Sequence, residues 1–304
     1  MGSYARTASG IAAAMLAGAI LTATNAQSAA AARRVVIPVP CDSTMLPTAV
    51  TQANGFGTAT IRLARNCTYI TNATLTFNGA NITILGGPST AIKANPAAPP
   101  GPILQVNGTA GLRVQGIFIL GGNIVGDGGA IRNDGALVLN YTTLTGNAAV
   151  GSGGALANNT AGSRALIAHS IIKANTATGN GGGLINKGML TLFESLVSGN
   201  NVTDANGRGG GVFTENGGRT RIIQSTIDKN TANQGGGVDN AATNATTSFY
   251  RTLVQQNKAR LTSATSGGGI FNENATPGSV TLRRTIVRRN TPNNCTPTIP
   301  GCLG

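Results

Sequence analysis

The 304-residue chain contains no Trp and a single His, and only 10% of it is charged. One His and no CxxC spacing leave too few ligands for a zinc site, so neither a metal nor a cofactor is expected. Aromatic residues make up 4%, too few for a nucleic-acid stacking platform, and no zinc-finger spacing exists; no specific nucleic-acid partner is expected. There is no GxxxxGK[ST], which excludes the common phosphate loop. No G-X-Y period exists, which excludes collagen. No apolar stripe with a 3.6-residue period persists, which argues against a helical fold. The main apolar run, Ile11 to Ala23, is shorter than the roughly 20 residues a membrane span needs.

That run instead reads as the core of a signal peptide over residues 1–32. Arg6 precedes it, and small residues follow, with cleavage expected after Ala26 or between Ala29 and Ala32. Export makes the protein secreted and places its cysteines in an oxidising compartment. Cys41 and Cys67 lie near one end, Cys295 and Cys302 near the other. Four cysteines allow three pairings; proximity favours Cys41–Cys67 and Cys295–Cys302. The formal charge is +13, and loss of Arg6 with the signal leaves 13 − 1 = +12. Such a charge favours solubility and anionic surfaces.

What the chain has in abundance is Gly, 44 residues of it, arranged in step. "GGAIRN", "GGALAN", "GGGLIN", "GGGVFT", "GGGVDN" and "GGGIFN" begin at Gly128, Gly153, Gly181, Gly209, Gly235 and Gly267. A second marker, Ser/Thr-x-aliphatic-x-x-Asn, ends at Asn147, Asn175, Asn200, Asn230, Asn257 and Asn290, with spacings of 28, 25, 30, 27 and 33. Aliphatic or Phe positions recur eight residues before each Asn (Leu139, Ile167, Leu192, Ile222, Phe249, Leu282) and three before (Leu144, Ile172, Val197, Ile227, Val254, Val287).

Short alternating segments and one chain turn per repeat define an all-β, single-stranded right-handed parallel β-helix of roughly eight or nine rungs, about 4.8 Å apart. Stacked rungs explain the aliphatic columns. They also explain the Asn columns, because an amide carries both donor and acceptor and can bond up and down a stack. Asn tolerates left-handed backbone, so the ladder residues are also expected to serve as the corners. Recurrent glycines read as corners too. The resulting division is 1–32 signal peptide, 33–68 N-terminal cap and first strand, 69–290 parallel β-helix, and 291–304 a tail closed by a disulfide, with both ends capped.

These markers resemble the repeats of polymorphic outer-membrane proteins and, more broadly, secreted bacterial right-handed parallel β-helix repeat proteins of the pectate-lyase-like fold class. "GGGI-x-N" followed by "S-x-φ-x-x-N" carries the likeness over residues 120–290. The segment "PCDS…AVTQAN…ATIRLARNCTYI" is similar to the N-terminal cap of such secreted proteins. The repeats end shortly before Gly304, so anchoring through a C-terminal barrel is not expected. The resemblance implies polysaccharide as the substrate class, with lyase, hydrolase or esterase activity in many members.

The residues that would carry such chemistry are sparse. A hydrolase needs two carboxylates about 5–10 Å apart. The acids are Asp42, Asp127, Asp134, Glu194, Asp204, Glu215, Asp228, Asp239 and Glu273, with no adjacent pair. They read as scattered, solvated surface, Asp239 standing alone near a corner. One column is a candidate. Six residues before each ladder Asn stand Tyr141, His169, Glu194, Gln224, Arg251 and Arg284, an outward line for ligand binding, with His169 and Glu194 as catalytic candidates. Any exposed column of a polar solenoid would look similar. Arg283, Arg284, Arg288, Arg289, Lys258 and Arg260 concentrate charge near the C-terminal end, either to meet an anionic polymer or to guard the last rung against stacking.

The expected function is therefore a monomeric, non-enzymatic β-helix that presents a rigid basic face to polysaccharide or an anionic cell-wall polymer. Two alternatives stand beside it: a polysaccharide lyase or glycoside hydrolase working along the outward column, and a structural or adhesive surface protein.

Overall fold

A computed structural model describes residues 35–79, 81–215, 217–241, 244–262, 266–274 and 276–302. The expected signal peptide lies outside them. The chain winds into an all-β parallel solenoid of about nine turns with four sheets. One turn shows the plan. Met189–Phe193 lies in sheet A, Leu196–Ser198 in sheet B, Asn201–Val202 in the short sheet D, and Val212–Thr214 in sheet C; Arg219–Ile223 then re-enters sheet A. Sheet A has ten strands, B and C nine each, and D six, all paired parallel to their neighbours.

The alternation in the sequence sets which face is buried. In Met189–Phe193, Leu190 and Leu192 point into the core and Met189 is exposed. Register stacks like upon like. Ile167, Leu192, Ile222 and Phe249 follow one another in sheet A, and Ile172, Val197, Ile227 and Val254 in sheet B. All are buried. The six aliphatic or Phe positions eight residues before the ladder Asn, with Leu282 partly buried, and the six at minus three therefore line one continuous core.

Asn147, Asn175, Asn200, Asn230, Asn257 and Asn290 form a buried amide ladder. Each Nδ2 donates to the Oδ1 of the next at 2.9–3.0 Å, ending at Asn294. The second Nδ2 hydrogen goes to a backbone carbonyl; for Asn200 this is Ile172 O at 3.0 Å. Each Oδ1 from Asn175 to Asn290 also accepts the backbone N–H of the preceding ladder residue. Every hydrogen-bonding atom of the interior amides is used, which is the condition for burying them without penalty. One expectation is corrected. The ladder Asn residues are not the left-handed corner positions. The residue before each one is, as in Gly146, Ala174, Gly199, Lys229, Gln256 and Arg289, with φ from 52° to 62°.

A second ladder runs through sheet C. Asn133, Asn158 and Asn186 are linked, as are Asn240 and Asn272. Thr214 interrupts the column in sequence, and hydroxyls bridge the gap. Asn186 donates to Thr220, which meets Thr214; Thr214 meets Thr247, and Thr247 donates to Asn240. A third stack uses the Ser/Thr of the repeat marker: the N–H groups of Thr142, Ser170 and Ser195 donate to Ser170, Ser195 and Ser225 Oγ at 3.1 Å.

The glycine triplets are corners between sheets D and C, as expected. Their first members have φ of 42–84°. The second members are held by neighbouring backbone: a Cβ on Gly182 would lie 2.5 Å from Gly210 O, which no side chain tolerates.

Both disulfides form as proximity indicated, Cys41–Cys67 and Cys295–Cys302, with Cα separations of 5.6 and 6.3 Å. The N-terminal cap contains an element that the sequence reading missed, a 12-residue helix, Met45–Phe56. It buries Leu46, Ala49, Val50 and Ala53 over the first turn, and Asn54 Nδ2 donates to Thr76 O at 2.8 Å. Its single apolar face is three turns long and has no repeat to reveal it. At the other end Cys295–Thr296 pairs with Ile270–Asn272 and Ile299 is buried.

Replacing Asn200 by Leu removes four hydrogen bonds and leaves the Asn175 amide and the Ile172 carbonyl unsatisfied in the core. At ~1–3 kcal/mol for each stranded group, Asn200→Leu should cost several kcal/mol. Asn201 lies on sheet D, half-buried, and its side chain accepts from exposed Arg260. Asn201→Leu should cost less than about 1 kcal/mol. Denaturant midpoints at equal m-values measure the difference.

Candidate polymer-binding corner

Tyr141, His169, Glu194, Gln224, Arg251 and Arg284 do form one line. Each is the first residue after its sheet A strand, at the corner leading into sheet B. Backbone N–H groups step from rung to rung: Tyr141 to Ala168 O, His169 to Phe193 O, Glu194 to Ile223 O, Gln224 to Tyr250 O and Arg251 to Arg283 O. All but half-buried His169 are exposed. At the rung spacing the line from Tyr141 to Arg284 is about 24 Å long.

Their backbone is unusual. All six have φ between 45° and 51°, the left-handed region that favours glycine. The preceding rung uses Gly116, at φ 69°, in the same place. A non-glycine residue in this region costs ~1–2 kcal/mol. Six consecutive turns therefore accept strain and gain large polar side chains at the corner. Outliers of this kind concentrate where side chains bind something. The sequence showed the column but not its backbone.

The N-terminal half of the line is aromatic. The Tyr141 and His169 rings stack with centroids 4.9 Å apart and 11° between planes. Phe193 meets His169 edge-on at 5.5 Å. His169 Nδ1 is 3.1 Å from Glu194 Oε2, so the two catalytic candidates are in contact. Farther along, the Arg251 guanidinium lies 5.2 Å from the Tyr250 ring centroid. Phe118, Tyr141 and Tyr250 are exposed along this corner, in a chain with few aromatics. The line borders an open groove between Glu194, Gln224, Leu196 and Thr226 rather than a closed cavity.

Charge is divided between the two sides of the solenoid. Sheets A and B and their corner expose Arg113, Arg164, Arg219, Arg221, Arg251, Arg283, Arg284 and Arg288. Glu194 and Asp228 are the acids there. Among the described residues the one ion pair on this side is His169–Glu194. The other side gathers the acids. Asp134 pairs with Arg132 at 3.4 Å; Lys187 lies 3.5 Å from Asp127 and 3.7 Å from Glu215; Arg208 pairs with Glu273. These four acids are half-buried in ion pairs around sheet C, which corrects the expectation of solvated carboxylates for them, whereas Asp42, Glu194 and Asp204 are exposed. Asp239 departs furthest from that expectation, being fully buried on a sheet C strand. The signal was present in the markers. Their fifth positions read Arg132, Ala157, Ile185, Phe213, Asp239 and Phe271, too apolar for a solvated column.

Among the described residues no group of three or more His, Cys, Asp or Glu is placed to hold a metal ion. No helix of the described residues is long and apolar enough to cross a membrane. No known protein family and no curated protein matches the chain.

The strain at the corner gives a direct test. Gln224 sits at φ 48° with its side chain exposed. Gln224→Gly should be more stable than Gln224→Ala by about 1 kcal/mol, the reverse of the order at an ordinary strand position. Chemical denaturation of the two variants side by side decides it.

Proposed function

We propose that this protein is a secreted right-handed β-helix, and that its sheet A–sheet B corner binds an extracellular or cell-surface anionic polymer, polysaccharide above all, without altering it. The observation that carries this reading is the division of charge. On the sheet C side Asp127, Asp134, Glu215 and Glu273 are engaged with Arg132, Lys187 and Arg208, whereas among the described residues the arginines of the A–B side are left without carboxylate partners. Arginines without carboxylate partners along a stacked face suit the regularly spaced anions of a polymer, since a guanidinium can hold a carboxylate, sulfate or phosphate through two hydrogen bonds. Exposed aromatic rings beside them offer flat apolar surface to a sugar face. The two disulfides and the signal peptide expected from the sequence agree with an extracellular site of action.

A second reading is cleavage of the polymer by a lyase or hydrolase, and the His169–Glu194 contact supports it. With Glu194 accepting from Nδ1–H, Nε2 carries the lone pair of the imidazole and can take a proton from a substrate. Incubation with acidic and neutral polysaccharides, followed by reducing ends and unsaturated products, separates binding from cleavage. Under the binding reading no products accumulate. Products that vanish in His169→Ala and Glu194→Gln would establish the second.

Binding is tested with Arg251→Gln/Arg284→Gln. Removing two exposed charge contacts of ~0.5–1 kcal/mol each should weaken retention on polyanionic polysaccharide about five- to thirtyfold. Added salt should shrink the difference. Lys258→Gln, on sheet D, should change retention little. Equal losses in both variants would mean attraction by net charge alone, with no defined face.

A further inference from the structure

Asp239 is the middle residue of Val238–Asn240 in sheet C, and its side chain stands on the outer side of the sheet, between the register positions of Phe213 and Phe271. That outer side is covered. Phe213, Ala241 and Ala245 belong to a small second apolar cluster there, separate from the solenoid core. The Asp239 carboxyl is completely buried, and neither oxygen has a hydrogen-bond partner among the described residues. It packs against the corner glycine: a Cβ on Gly235 would lie 3.1 Å from Asp239 Oδ2. The charge that acts on it is Arg208, which is committed elsewhere. Arg208 pairs with Gln234 across adjacent corners, so it lies one rung before Asp239. Its guanidinium is bound to Glu273, whose N–H donates to Asn240 O and which therefore lies one rung after. The ion pair joins the two rungs that flank Asp239.

We propose that Arg208 and Glu273 form a strap across the Asp239 rung, and that ionisation of Asp239 draws Arg208 away and loosens the apolar cluster of Phe213, Ala241 and Ala245 beside it. A neutral carboxyl suits the closed corner, because a buried acid costs little when protonated and much when charged. Burial pushes the Asp239 carboxyl up to about 8, and Arg208 pulls in the opposite direction. Phe213, Phe271, Ala241 and Ala245 bring no titratable group to it. Among the described residues Arg208 is the charged group that acts on it, and Glu273 holds Arg208 from the other flanking rung.

The sign of the effect follows from proton linkage. Closed, the corner keeps its proton up to about pH 8; opened, Asp239 returns to the ordinary carboxylate range near 4. Between these limits the closed form binds the extra proton. Closing is therefore most favourable at low pH, weakens about tenfold for each pH unit as pH rises, and becomes constant above about 8.

Hydrogen exchange of the full chain, corrected for the intrinsic pH dependence of amide exchange and followed by mass spectrometry, reads this opening. Peptides covering 206–215, 235–241 and 266–274 should lose protection about tenfold per pH unit between pH 5 and 8. A sheet A peptide such as 189–193 should not. Asp239→Asn, nearly isosteric and uncharged, should abolish the slope. Glu273→Gln removes the acidic half of the strap and should lower the protection of these peptides even at pH 5, where the wild-type corner is closed. It also keeps the test decisive should Asp239→Asn fold poorly. Flat protection in the wild-type protein overturns the proposal. So do a slope that survives Asp239→Asn, a slope shared by sheet A, and a Glu273→Gln profile that matches the wild type.

Discussion

Everything in this molecule depends on rungs that stack in register with their polar side chains bonded to one another. Backbone hydrogen bonds step from rung to rung even at corners such as Tyr141 and His169, but the N–H groups of Asn147, Asn175, Asn200, Asn230 and Asn257 are met by side-chain oxygens instead. The buried amides from Asn147 to Asn290 use both hydrogens and both acceptor positions of each interior side chain. The hydroxyl bridge around Thr214 shows that the requirement is satisfaction rather than amide identity.

With the corners held this way, the outward side chains become regular by default. The A–B corner inherits one side chain per turn. Six successive turns place large polar or aromatic groups there despite left-handed backbone, where Gly116 alone would suffice sterically. The sheet C side holds four acids in ion pairs, within a turn at Arg132–Asp134 and between turns at Lys187 and Arg208, and among the described residues the A–B arginines are left without carboxylate partners. A basic face here is thus not a consequence of net charge alone. It follows from where the carboxylates are spent.

Sheet C differs from sheets A and B in having a covered outer side. The glycine corners fold close to it, and the outer column of Ala157, Ile185 and Phe213 is buried as a second small core. Asp239 is the exception within that column, a carboxyl with no hydrogen bond where its neighbours are apolar. Local rules that hold everywhere else in a fold tend to fail at positions with a separate task, and a strap joining the adjacent rungs is the task its surroundings suggest.

Periodicity made much of this legible from residue order. The solenoid, the inward columns, the amide ladder with Asn200 in its interior, the two disulfides and the line from Tyr141 to Arg284 all follow from residue types that return at a fixed place in each turn. A stacked fold translates sequence period directly into spatial columns, and these features live within a column. The features that escaped lie between columns or outside the repeat. The cap helix Met45–Phe56 occurs once. The left-handed corner residue precedes the ladder Asn because backbone geometry, not amide chemistry, selects it. The ion pairs of Lys187 and Arg208 join different positions of different turns. The apolar fifth positions of the markers pointed to cover over the outside of sheet C, but the complete burial of Asp239 depends on how closely a corner folds over that side, a loop-to-strand distance set only in the fold.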